Sequence, residues 1–255
     1  MHWRSTRSCS AKPTSRLPPT RSRNGCAKRR RRTCCPTTRS RRSTSSVQGS
    51  SGRCLVTRLT AVPDLHLTGD PAADALLSDN PFALLIGMTL DQQVTMESAF
   101  AGPKKIADRM GGLDAHDVAA CDPEKFTALC SEKPAVHRFP GSMATRIQAV
   151  AQIVADRYDG DAANLWTVGN PDGAELLKRI KALPGFGEQK SKIFLALLGK
   201  QYGVTAPGWR AAAGDYGADG TFMSVADVVD ADSLERVRSH KKQMKANAKV
   251  GANQQ

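Results

Sequence analysis

Two glycines separated by one residue, Gly185 and Gly187 in Leu183-Pro184-Gly185-Phe186-Gly187, lie between two stretches of helical periodicity, an arrangement that can hold phosphate. A glycine-rich turn that opens a helix presents unpaired backbone N–H groups and the positive end of the helix dipole to an approaching anion. A side chain at either glycine would block that approach or forbid a positive φ. Between residues 178 and 200, Lys178, Arg179, Lys181, Lys190, Lys192 and Lys200 stand against a single acid, Glu188, so five of the six bases read as unneutralised. One small phosphate needs no such spread of charge, whereas a polyanion crossing the surface does. Nucleic acid is the expected ligand.

The elements that must carry this turn are helical. From residue 64 the apolar spacing follows a helical period, and no alternating run is long enough for a sheet. Asn80-Pro81 is a helix start that opens an almost wholly apolar segment, Phe82–Leu90. Such a segment belongs at the centre of a fold, so its end, Asp91-Gln92-Gln93-Val94-Thr95, is delivered from a rigid element to the place where core meets surface. A single helix is expected from Met96 to Met110, stopped by Gly111-Gly112, and a short one from Asp122-Pro123 to Cys130. After a breaker-rich loop holding His137, Arg138 and Phe139, Ser142 reads as the cap of a long helix to Tyr158. Asp172 caps Gly173–Ala182, and Glu188 opens the helix to Gly199. A Gly/Ala-rich loop over 203–220 precedes final helices starting at Ser224 and Asp232, the last one basic and fraying beyond Lys245. The expected architecture is all-α, about nine short helices over 64–246 in one compact domain or two lobes, with 247–255 frayed.

The chain of 255 residues has a formal charge of +13, but that charge is not spread evenly. Residues 1–60 hold 16 Lys or Arg and no acid, leaving 21 bases against all 24 acids in the remainder. A polyanion must therefore be met by a local patch and not by an overall field. The Arg/Ser/Thr/Pro-rich stretch over 1–60 cannot build a core and is expected to be a disordered basic tail. Its monotony is also what a GC-rich gene yields when read upstream of its start, which points to Val56 or Val62 as the natural beginning. Five of the seven cysteines lie in that tail; Cys121 and Cys130, with no His at zinc-ligand spacing, read as reduced thiols and not as a metal site. With no apolar run of membrane length, a cytosolic or nucleoid-associated monomer without membrane contact is expected.

The hairpin, about ninety residues after a buried helix ending in Gln92-Gln93-Val94-Thr95, resembles the helix-hairpin-helix/Gly-Pro-Asp (HhH-GPD) superfamily of base-excision DNA glycosylases. The resemblance spans roughly residues 75–215 and includes Phe139-Pro140-Gly141-Ser142-Met143-Ala144, where that family has an aromatic loop and a basic helix. More narrowly, it is similar to a small actinobacterial branch. The resemblance implies that Leu183, Gly185, Phe186, Gly187, Gln189, Lys190 and Lys192 meet the DNA backbone. It also implies that Gln93, with Gln92 beside it, fills the hole left by a flipped base. Extruding a base costs on the order of a few kcal/mol, part of which such a plug recovers.

Three departures from the family pattern shape the expected chemistry. Gln189 stands where bifunctional members carry a Schiff-base lysine, and Lys190 is one residue late, which argues against lyase chemistry. The family's catalytic Asp should fall near Pro207-Gly208, where no acid occurs. Asp91, Asp215 and Glu97 are the carboxylates able to compensate by stabilising cationic sugar or activating water. The cysteines that hold an iron–sulphur cluster in many relatives are missing as well, so no cofactor is expected. His137, Arg138, Phe139 and Trp209 are candidates to line a base pocket. Together these features suggest a monofunctional DNA glycosylase acting on duplex DNA with a damaged or mismatched base. The alternative is a lesion- or structure-binding protein that retained the cradle and the plug without the acid.

Overall fold

Asn80 and the proline after it begin the element on which the rest is assembled. In a computed structural model that describes residues 64–252, the Asn80 side chain accepts hydrogen bonds from the amides of Phe82 (2.9 Å) and Ala83 (3.2 Å) and donates to the carbonyl of Leu113 (2.9 Å). The expectations for the tail over 1–60, its start, and residues 253–255 lie outside the described residues. Helix α1 (Pro71–Asp79), capped by Asp70, precedes α2 (Pro81–Leu90), in which Phe82 through Leu90 are all buried. Replacing Asn80 by Ala removes two amide acceptors and a tertiary donor, so the urea midpoint should fall by the equivalent of about 1–2 kcal/mol.

Seven further helices lead to the hairpin. They are α3 (Met96–Phe100), α4 (Gly102–Met110), α5 (Ala115–Ala120), α6 (Pro123–Ser131), α7 (Pro140–Tyr158), α8 (Asn164–Thr167) and α9 (Gly173–Lys181). The single helix expected over 96–110 is divided at Ala101, because Pro103 cannot donate to the preceding turn and instead occupies the start of α4. Helix α7 begins at Pro140 and not at Ser142: proline suits the first helical position, Phe139 takes the cap, and Ser142 is inside the helix. Helices α5 and α6 pack on α7, while α2 touches α3, α4 and α7, so the apolar helix lies in the middle of this half.

Helix α10 (Glu188–Lys200) packs against α9 and against α11 (Trp209–Ala213), a helix inside the stretch expected to be a loop. Short 3₁₀ turns at Gly214–Gly217 and Val225–Asp227 lead to α12 (Ala231–Ala252). That helix runs past Lys245, since no Gly or Pro interrupts it before Gly251. No strand occurs among the described residues, in agreement with an all-α fold. No helix among them is long and apolar enough to cross a membrane.

Candidate functional site

The turn between α9 and α10 leaves donors bare. The amides of Gly185, Gly187, Glu188 and Gln189 find no acceptor among the described residues, and no side chain caps α10. Gly185 has φ +84°, which an L side chain rarely adopts. Gly187 is extended at φ −78°, a conformation any residue adopts, and a Cβ there would meet nothing within 4 Å. Leu183 and Phe186, expected at the DNA surface, are buried instead, and Phe186 packs edge-on against Phe194 with ring centroids 5.9 Å apart. Apolar side chains in a turn sink into the nearest core, and here they anchor the exposed glycines from beneath.

The basic flank is more neutralised than counting along the chain suggested. Lys178 and Arg179 pair with Glu175 (3.5 and 3.3 Å), Lys181 and Lys192 with Glu188 (2.6 and 3.0 Å), and Lys200 with Asp227 (2.6 Å). Glu175 lies one turn upstream and Asp227 is brought in by the fold. Hydrogen bonds from Lys181 and Lys192 hold the exposed Glu188 carboxyl down to about 2. Exposed pairs of this kind contribute little to stability, so phosphate can displace Glu188 from both lysines. Glu188→Gln should therefore tighten duplex binding about threefold and steepen its salt dependence by one to two counterions, read by fluorescence anisotropy at roughly 50 to 200 mM salt. Gln189, on the same turn, donates to the Tyr216 hydroxyl (2.8 Å).

Among these six bases only Lys190 lacks a carboxylate within 4 Å among the described residues. Its ammonium donates to the Thr89 carbonyl (3.3 Å), at the end of α2, and lies 5.6 Å from the centre of the Phe186 ring. Burial lowers its pKa to about 8; Asp91 pulls the other way and Arg146 adds to the lowering. The same residue that joins the cradle to α2 is thus placed near Asp91.

The two glutamines part company. Gln92 is held on three sides: its side-chain oxygen accepts from Arg146 (2.7 Å), its amide donates to the Thr89 carbonyl (3.1 Å), and its own carbonyl accepts from His137 Nε2 (2.9 Å). Gln93 is exposed, with φ +58°, a left-handed conformation that costs a non-glycine residue of order 1 kcal/mol or more. Arg146, which sequence reading did not single out, also lies under the hairpin: a Cβ on Gly185 would come within 2.6 Å of its Cδ. A clamped Gln92, joined through Arg146 to the hairpin, therefore precedes a strained, exposed Gln93.

Asp91 ends α2 and opens onto a cavity of about 990 Å³ between the Gln93–Glu97 segment and α12. Burial pushes its carboxyl above the ordinary value of 3.8, opposed by Lys241 and Lys190 and reinforced by Glu97. Glu97 lines the same cavity but is committed to Arg238, with contacts of 2.6 and 3.0 Å. Burial alone would raise the Glu97 pKa; hydrogen bonds from its own amide and from Arg238 bring it below the ordinary range instead. Asp215 lies elsewhere, exposed on the 3₁₀ turn after α11 and not on the cavity wall. Helix α12, read from the sequence only as a basic end, supplies the opposite wall with Val237, Arg238, Lys241 and Lys242.

The residues expected in a base pocket have other positions. His137 is buried; its Nδ1 accepts from the Phe139 amide (3.0 Å), so Nε2 is the donor to the Gln92 carbonyl, and the ring braces the turn without lining a pocket. Arg138 and Phe139 are on the surface, the guanidinium 5.3 Å from the ring centre, and Phe139 is 44% exposed. The loop that carries them is tied down by Arg109, which donates to the carbonyls of Leu129 (2.7 Å) and Pro134 (2.8 Å). Trp209 is buried against α10, where a Cβ on Gly199 would lie 2.5 Å from its ring, and the start of α9 abuts its backbone. Pro207 and Gly208, where the resemblance expects the family's acid, are themselves exposed, and a Cβ on Gly208 would meet nothing within 4 Å, so the carboxylate is missing there by residue type and not for lack of room.

Comparison with known families gives one match: a model described as HhH-GPD superfamily base excision DNA repair protein matches residues 86–252, an interval that includes the Gln turn, the hairpin and all of α12. No curated protein and no solved structure matches the chain.

Proposed function

The chain belongs to the HhH-GPD superfamily of base excision DNA repair proteins, and from that membership we propose that it is a monofunctional DNA N-glycosylase with Asp91 as its catalytic carboxylate. The observation that carries this reading is the position of Asp91. It ends the central helix, faces a cavity large enough for a nucleotide, and shares that cavity's wall with the exposed Gln93. In this reading the amides of Gly185, Gly187, Glu188 and Gln189 hold a phosphate of duplex DNA while Gln93 fills the vacated stack. The extruded nucleotide enters the cavity, where ionised Asp91 stabilises positive charge developing on the sugar and accepts a proton from the attacking water. Lys190 stays on the Thr89 carbonyl as a strut between cradle and acid.

The second reading is a lesion-binding protein without catalysis. It is favoured by Pro207 and Gly208, which stand where the resemblance expects the family's catalytic acid and supply no carboxylate. Incubating the purified protein with a panel of lesion duplexes and measuring free base separates the two. A glycosylase releases base, leaves the strand uncut, and yields no covalent adduct on borohydride treatment. A binding protein retains the duplex and releases nothing.

A further inference from the structure

The walls of the Asp91 cavity differ in charge, and that difference bears on which bases it can process. Glu97 and Arg238 neutralise one another. Lys241 and Lys242 also line the cavity, and neither has a carboxylate within 4 Å among the described residues. The remaining lining combines the uncharged polar Gln93 and Thr95 with the apolar Val94, Met96, Val237 and Ala246, and no aromatic side chain lines it. At about 990 Å³ the space is at the upper end of the roughly 300–1,000 Å³ usual for small-ligand sites, room for a base with its sugar and a flanking phosphate. An occupant therefore meets one uncommitted carboxylate at the end of α2 and two uncommitted ammoniums on α12.

Those charges act differently on two kinds of damaged base. When the C1′–N bond of a neutral base breaks, the bonding pair moves onto the ring nitrogen and the base departs as an anion. Water supplies hydroxide to C1′, its proton passes to Asp91, and the base anion takes up a proton afterwards. A positively charged group aimed at the departing base lowers that barrier. A base already carrying a fixed positive charge from alkylation departs neutral, gains nothing from an ammonium, and is repelled by two of them on entry. Resting on the glycosylase reading above, we infer that the substrate is a damaged base that is neutral when bound and leaves as an anion, with Lys241 and Lys242 stabilising the leaving group.

Single-turnover release from duplexes containing uracil, 5-fluorouracil, 5-hydroxyuracil or 7-methylguanine tests this. Wild type should release the pyrimidines about tenfold or more faster than 7-methylguanine. Changing both lysines, Lys241→Gln with Lys242→Gln, should slow uracil release by about thirtyfold and 5-fluorouracil release by much less. Fluorine makes the departing anion more stable by itself, so that base depends less on the lysines. These are surface residues of one helix, and an unchanged melting temperature checks that the variant is folded. Faster release of 7-methylguanine, or an equal loss on uracil and 5-fluorouracil, overturns the inference while leaving the glycosylase reading intact. Release of no base from any duplex overturns the glycosylase reading, and this inference with it.

Discussion

Asp91→Asn is expected to lower single-turnover base release by about two to three orders of magnitude while duplex affinity stays within about threefold of wild type. The amide is isosteric and preserves the wall of the cavity, but it can neither balance positive charge on the sugar nor take a proton from water. The same change should stabilise the fold at neutral pH. Folding raises the Asp91 pKa, chiefly by burial, so the folded chain binds a proton that the unfolded chain has already released. The carboxyl therefore costs no stability below its ordinary value of 3.8; the cost accumulates as pH rises to the folded value and stays constant above it. Asparagine removes that cost, so the urea midpoint should rise as activity disappears. In the wild type, base release should decline as pH falls through the raised pKa, because the protonated acid cannot act. A variant that lost activity and stability together would point to simple structural damage.

Gly187→Asp should weaken duplex binding about tenfold or more, at least 1.4 kcal/mol, without harming the fold. Position 187 is the cap of α10, extended at φ −78° and ψ 176°, and a Cβ there meets no atom within 4 Å. Aspartate is a favourable residue for such a cap, so α10 should gain a few tenths of a kcal/mol. Its carboxylate, however, would accept from the amides that the account reserves for phosphate, and would repel a phosphate besides. Anisotropy titrations with an abasic-site duplex and urea unfolding should therefore move in opposite directions. The contrast with Gly185 is instructive: a side chain there meets Arg146 and requires a positive φ, so its loss would combine structural and binding effects.

Much of this arrangement is visible in local sequence because its causes are local. Asn80-Pro81, Asp122-Pro123 and Asp172 each begin a helix where cap chemistry requires it, and Asp70-Pro71 carries the same signature for α1. The apolar run after Pro81 could only be central, and it delivers Asp91 and the glutamines to the surface as its composition implies. What is not legible depends on partners distant in the chain. Glu97 meets Arg238 across 141 positions, Lys200 meets Asp227 across 27, and His137 meets the Gln92 carbonyl across 45. A count of neighbouring charges could not anticipate the neutralised flank, nor could the residue types of 137–139 and 209 disclose which rings would be buried. The cavity itself is closed by α12, whose basic run gave a sign of charge but no hint of the wall it would face.

Engagement of one duplex by both the bare amides at the start of α10 and the cavity beside Asp91 is what the proposed function requires. It is tested most directly by ¹H–¹⁵N correlation spectra of the labelled protein titrated with an abasic-site duplex. The amide resonances of Gly185, Gly187, Glu188, Gln189 and Gln93 should shift together, at one saturation point, along with those of Val94 and Met96 on the cavity wall. A bound complex in which the hairpin amides stay unmoved, or in which they shift while the cavity wall does not, would contradict it.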